Sequence, residues 1–142
     1  MKFPQHPALQ ARQHALAEHL LILPDVSERL NALVAHAARQ AGLTEQEKIP
    51  SHRVEGCVSQ VWIVGSCEHG LCSFRSAADS SLVAGLVGAM AELCSGLSSA
   101  EVEHLDLGWL QKSGLWNQIS PTRQRGLSAV AETLRNFASS CH

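Results

Sequence analysis

The chain has 142 residues, 45% of them hydrophobic and 17% charged, with a formal net charge of −2 at pH 7. That is one domain's worth of sequence with enough apolar surface to build a core, which excludes an intrinsically disordered chain. Eleven scattered Lys and Arg residues form no basic stripe, which excludes nucleic acid as a partner. The longest apolar stretch, near Leu82–Leu93, is shorter than the roughly 20 residues that cross a bilayer, so no membrane partner is expected. Residues 1–6 carry no apolar run of a secretory kind, and the expected compartment is cytoplasmic.

In chain order, residues 1–24 read as an N-terminal segment, partly helical over His6–Leu23, that either lies against the body or frays. His6, His14 and His19 are spaced too unevenly for one helix face to gather them around a metal. Asp25 with Glu28 three residues on predicts a helix start, Leu30, Leu33, Val34, Ala37 and Ala41 its apolar stripe, and Gly42 its stop. Thr44–Glu47 repeats the capping pattern for one turn, which Ile49–Pro50 ends.

The segment Val58–Val64, rich in Val, Ile and Trp, predicts a strand covered on both faces. Glu68–Leu71 with Gly70 predicts a turn, Cys72–Arg75 the return strand, and His52–Glu55 a third short strand. Beyond them, Asp79 or Ser80 caps a helix over Ser81–Cys94, Ser98 with Glu101 caps a short one, and Trp109–Leu115 forms another. Ser120–Pro121 opens a last helix with Leu127, Val130, Ala131, Leu134 and Phe137 on its apolar face. The expected fold class is α+β: a single domain over residues 25–139, with an antiparallel sheet of about three strands flanked by N- and C-terminal helices, and a mobile tail at 140–142.

Cys57 follows Gly56 and is expected at a loop–strand junction. Taken alone it is as well explained as a buried core thiol as by reactivity, because thiolate character needs a nearby cation and the sequence does not place Arg53 or Arg123 beside it. The residues around it decide between the two. Arg53-Val54-Glu55-Gly56-Cys57-Val58-Ser59-Gln60-Val61-Trp62 resembles the R-V-x-G-C-x-S-x-V-W signature of the SufE/CsdE family. Asp79–Leu86, Trp109-Leu110 and Ser120–Leu127 are similar to that family's later landmarks, in the same order over about residues 25–138. Two departures are visible: Val58 stands where the family very often has Gln, and the N-terminal Trp-Glu-x-basic-Tyr pattern is missing.

The resemblance implies a SufE-like fold and a sulfur acceptor and activator for a cysteine desulfurase. Cys57 would carry persulfide sulfur toward iron–sulfur cluster assembly, with an iron–sulfur scaffold as the downstream partner. Pyridoxal phosphate would belong to the partner desulfurase, and no cofactor or metal is expected on this chain. Arg123 matches a family position near the active loop, and its expected role is electrostatic support of the thiolate or persulfide.

The five cysteines form an odd set without repeated spacing, which in a reducing compartment predicts free thiols. Cys67 and Cys72, flanking a loop with His69, read as a hairpin pair able to oxidise rather than as a zinc site, Cys94 as core, and Cys141 as part of the tail. No Gly-rich phosphate loop, nucleophile elbow or zinc helix supports a stand-alone enzyme. Two alternatives to sulfur transfer are a metal-binding or iron–sulfur scaffold built on Cys57, Cys67 and Cys72, and a non-catalytic desulfurase adaptor.

Overall fold

The computed structural model describes residues 8–141; the expectations for residues 1–7, His6 among them, and for His142 lie outside the described residues. Two helices come first, α1 (Leu9–Leu21) and α2 (Val26–Ala38). A hairpin of β1 (Val61–Glu68) and β2 (Leu71–Ala78) follows, then α3 (Ser81–Cys94). The chain continues through β3 (Leu97–Ser98), α4 (Ser99–Val102), α5 (Gly108–Lys112) and the long α6 (Pro121–Ser139). The sheet is antiparallel throughout, in the order β1-β2-β3. The α+β expectation is met.

The hairpin turn falls where the sequence places it. His69 and Gly70 are its central residues, both at positive φ (54° and 76°), the mirror-image turn geometry that matches the twist of paired strands. The strands themselves differ from expectation. The first begins at Val61 rather than Val58, because the Val54 amide donates to the Val61 carbonyl (2.8 Å) and closes residues 55–60 into a loop. Its burial alternates, with Val61 and Ile63 buried and Trp62 and Val64 half-covered, so it is not covered on both faces. The stretch His52–Glu55 is not the third strand. Pro50 starts a single 3-10 turn over Pro50–His52 and leaves one bridge, Arg53 to Trp62, while Leu97–Ser98 pairs with β2 on its other side.

Helix α3 is the centre of the core, with Val83, Leu86, Val87, Met90, Leu93 and Cys94 all buried. Ser80, not Asp79, supplies its cap by accepting from the Val83 amide. It packs on α2 so closely that a Cβ at Gly85 would lie 3.0 Å from the Val34 backbone. Asp25 caps α2 as expected, accepting from the Glu28 amide at 2.8 Å. That helix ends at Ala38, short of Gly42. The Arg39 and Gln40 amides bond three residues back and tighten the last turn, and Gly42 (φ 64°) serves the loop beyond it.

Of the two alternatives for the N-terminal segment, α1 lies against the body. Leu9, Leu16, Ala17 and Leu20 are fully buried. Its uncapped first amide, on Leu9, donates to the Glu101 carboxylate (3.0 Å), and the Arg12 guanidinium donates to the Leu93 and Ser95 carbonyls (3.0 and 2.7 Å) at the end of α3. Each of these long-range contacts satisfies a helix end that would otherwise lack a partner. At the other terminus the expected mobile tail is corrected. Cys141 is buried and disulfide-bonded to Cys67. Among the described residues, no helix is long and apolar enough to cross a membrane.

Candidate functional site

The Cys57 loop is short, irregular and pinned at its base. Besides the Val54–Val61 bond, Gln60 and Asp79 hold its far end: the Gln60 amide donates to the Asp79 carboxylate and the Asp79 amide to the Gln60 carbonyl, each at 3.1 Å. Gly56 takes φ 92°, open at little cost to glycine alone, and turns the chain so that Cys57 lies on α6. Cys57 therefore sits within the loop and not at the opening of a strand.

The seat for Cys57 is Gly126, buried on α6. The Cys57 Sγ donates to the Gly126 carbonyl at 3.4 Å, and a Cβ on Gly126 would stand 3.4 Å from that sulfur. Beside the thiol, Val83, Leu86 and Val87 of α3 and Leu127 and Val130 of α6 line a half-open cavity of about 20 Å³, with Val58 and Arg123 also in its lining. A space of that size holds about one water-sized atom, whereas a small-molecule site occupies roughly 300–1,000 Å³. The site is thus a half-buried thiol with room for one further atom in a half-open, mostly apolar cleft.

Burial pushes the Cys57 thiol above its ordinary value of 9.0, and the charge of Arg53 partly opposes this. Burial thus favours the protonated thiol. Arg123, the other sequence candidate, is brought to the same cavity but is exposed, and Arg53 is the cation that acts on the thiol. Next to Cys57, Val58 is 75% exposed, an apolar side chain turned outward on the loop.

The remaining cysteines are not gathered here. Cys72 and Cys94 are buried, and burial together with the neighbouring Cys72 pushes the Cys94 thiol up to about 12, so Cys94 is core as expected. The hairpin pair Cys67 and Cys72 does face across the strands, but the disulfide runs from Cys67 to Cys141. The physical reason is the approach of α6, which ends over the Cys67 side of β1 and brings the two Cα atoms to 5.6 Å, within normal disulfide span. Cys57 meets α6 at Gly126 and Cys67 is bonded just past the helix's C-terminal end, about 20 Å further along its axis, so Cys57, Cys67 and Cys72 do not form the three-thiol cluster a scaffold would need.

Sequence reading missed Gly126 and the Gln60–Asp79 clasp. The first had a signal: a glycine in the middle of a strong helix pattern costs about 1 kcal/mol relative to alanine and marks a close approach. The clasp is a long-range pairing with no local pattern.

Comparison with known proteins gives the family and the fold. The sequence profile of SufE, the Fe-S metabolism associated domain, matches residues 14–138. An uncharacterized SufE-like protein of Synechocystis sp. is 28% identical over 114 residues, covering 80% of this chain and 72% of the relative. A second, from Rhizobium etli, is 29% identical over 128 residues, covering 87% and 86%. The solution structure of a hypothetical protein from Thermus thermophilus shares the fold, with a TM-score of 0.75 at 22% identity over 90% of this chain and 93% of that one. The chain belongs to the SufE family of Fe-S metabolism associated domains.

Proposed function

We propose that the chain accepts sulfur from a pyridoxal-phosphate-dependent cysteine desulfurase on Cys57 and carries it as a persulfide toward iron–sulfur cluster assembly. The observation that carries the reading is the one-atom apolar space beside the Cys57 sulfur. In the proposed step the Cys57 thiolate attacks the outer sulfur of a persulfide on the partner. A new S–S bond forms on Cys57, the partner's S–S bond breaks, and the partner cysteine leaves as a thiolate. The outer sulfur then lies in that cleft, against the apolar side chains of α3 and α6.

The resting thiol is poorly nucleophilic because burial favours its protonated form. In this reading, docking of the partner supplies what is missing by moving the loop or adding positive charge. Val58 is the apolar contact offered to that partner, and Arg53 and Arg123 support the developing thiolate and persulfide. Sulfur transfer also separates this reading from a non-catalytic adaptor. A Cys57→Ser chain, mixed with a desulfurase and free cysteine, should form the complex and melt within a few degrees of the parent, yet show no stimulation of sulfide turnover. Full stimulation by the serine chain would overturn the reading.

A further inference from the structure

At the far end of α6 from Cys57, two contacts one helical turn apart hold the helix to β1. The Phe137 ring lies over Gly65, where a Cβ would stand 2.8 Å from the ring, and meets Phe74 edge-on with centroids 5.4 Å apart. Four residues on, Cys141 is bonded to Cys67, two residues along β1 from Gly65 and so on the same face of the strand. The two sulfurs differ in access. Cys67 is exposed near the hairpin tip, whereas Cys141 is 6% exposed beneath it.

We propose that Cys67–Cys141 is a redox-controlled latch between the hairpin and the C-terminal turn of α6. Opening requires a dithiol reductant. One reductant thiolate attacks the accessible Cys67 sulfur, the bond to Cys141 breaks, and Cys141 leaves as a thiolate that takes a proton. The second reductant thiol attacks the mixed disulfide, frees Cys67 as a thiol, and closes the reductant's own disulfide. Two electrons and two protons pass to the protein, and a disulfide oxidant reverses the sequence. With the latch closed, Cys57 is the one free thiol not fully buried among the described residues. With it open, Cys67 and Cys141 join the thiol pool, and the last turn of α6 is held by packing alone. In the sulfur-acceptor reading, the closed form therefore presents a single thiol to a sulfur donor. The latch itself rests on the hairpin–α6 geometry and not on that reading.

The test uses the full chain, oxidised in air or reduced with dithiothreitol, labelled briefly under native conditions with N-ethylmaleimide and mapped by mass spectrometry. The oxidised chain should yield a Cys67–Cys141 linked peptide and label at Cys57 alone. The reduced chain should label at Cys57, Cys67 and Cys141, with Cys72 and Cys94 protected. Amide exchange over residues 134–141 should rise by about tenfold on reduction, and Tm should fall by roughly 10 °C. Cys141→Ser should show the reduced chain's exchange, Tm and Cys67 labelling under both conditions, with Cys67→Ser as the second variant if the first folds poorly. A Cys67–Cys72 linkage in the oxidised chain, or exchange and Tm unmoved by reduction, would overturn the proposal.

Discussion

The two ends of α6 solve the same packing problem differently. Each presses against a glycine: near its start, Gly126 of α6 receives Cys57, and near its end, Gly65 of β1 receives Phe137. The first contact is loose. A Cβ at Gly126 would only touch the thiol at 3.4 Å, a one-atom space remains, and the facing segment is a loop held by two backbone–backbone bonds and one to the Asp79 carboxylate. The second is tight. A Cβ at Gly65 would collide with the ring at 2.8 Å, and a disulfide sits one turn further on. The contrast separates the place where the proposed function puts a carried sulfur from a place where the fold is fastened. A single helix of 19 residues runs between them.

Substitutions at the two glycines sharpen that contrast. Gly65→Ala should give the larger effect on stability, about 1–3 kcal/mol in a denaturant melt, because the Phe137 ring must turn away and lose Phe74. Adding Phe137→Ala should recover part of the clash, and strict additivity of the two changes would contradict it. Gly126→Ala should leave the fold as stable or slightly more so, since alanine is the better helix former by about 1 kcal/mol. Its methyl group would take space beside the Cys57 sulfur, so sulfur loading should fall several-fold. Equal loading by both chains would remove the cavity from the account.

A smaller effect is expected at Arg53. Its charge opposes the upward shift that burial imposes on Cys57, so Arg53→Ala should move the thiol further up and slow Cys57 alkylation a few-fold at mildly alkaline pH. In the parent, alkylation should rise with pH through a midpoint above the ordinary thiol value of 9.0. The linkage sign follows from the same shift. Because the folded-state value is raised, the stability it contributes is present below the unfolded value and lost as pH rises through the folded one. A midpoint below 9.0 would mean that Arg53 outweighs burial.

Much of the fold was legible in local pattern. The caps at Asp25, Ser98 and Ser120 each accept from the amide three residues on, and the Thr44 amide donates to the Glu47 carboxylate, as their spacing predicts. The hairpin turn at His69-Gly70 follows from turn chemistry. What was not legible depends on partners far away in sequence. Leu97–Ser98 is too short to carry a strand pattern and pairs only because β2 is beside it. Helix α1 has no cap of its own and is completed by Glu101. Cys67 has a cross-strand neighbour in Cys72, yet it bonds to Cys141, 74 residues away, because α6 delivers that residue to the hairpin. At the candidate site, the loop cysteine and Arg123 could be named from the motif. The seat on Gly126 and the stronger bearing of Arg53 on the thiol depend on how α6 crosses the loop.

The most direct test of the central claim is to incubate the chain with a cysteine desulfurase and free cysteine, remove the desulfurase, and measure the intact mass and the modified peptide without reductant. The account predicts a gain of about 32 Da, one sulfur atom, on the peptide containing Cys57, absent from Cys57→Ser. No gain at Cys57, or the same gain in the serine chain, would contradict it.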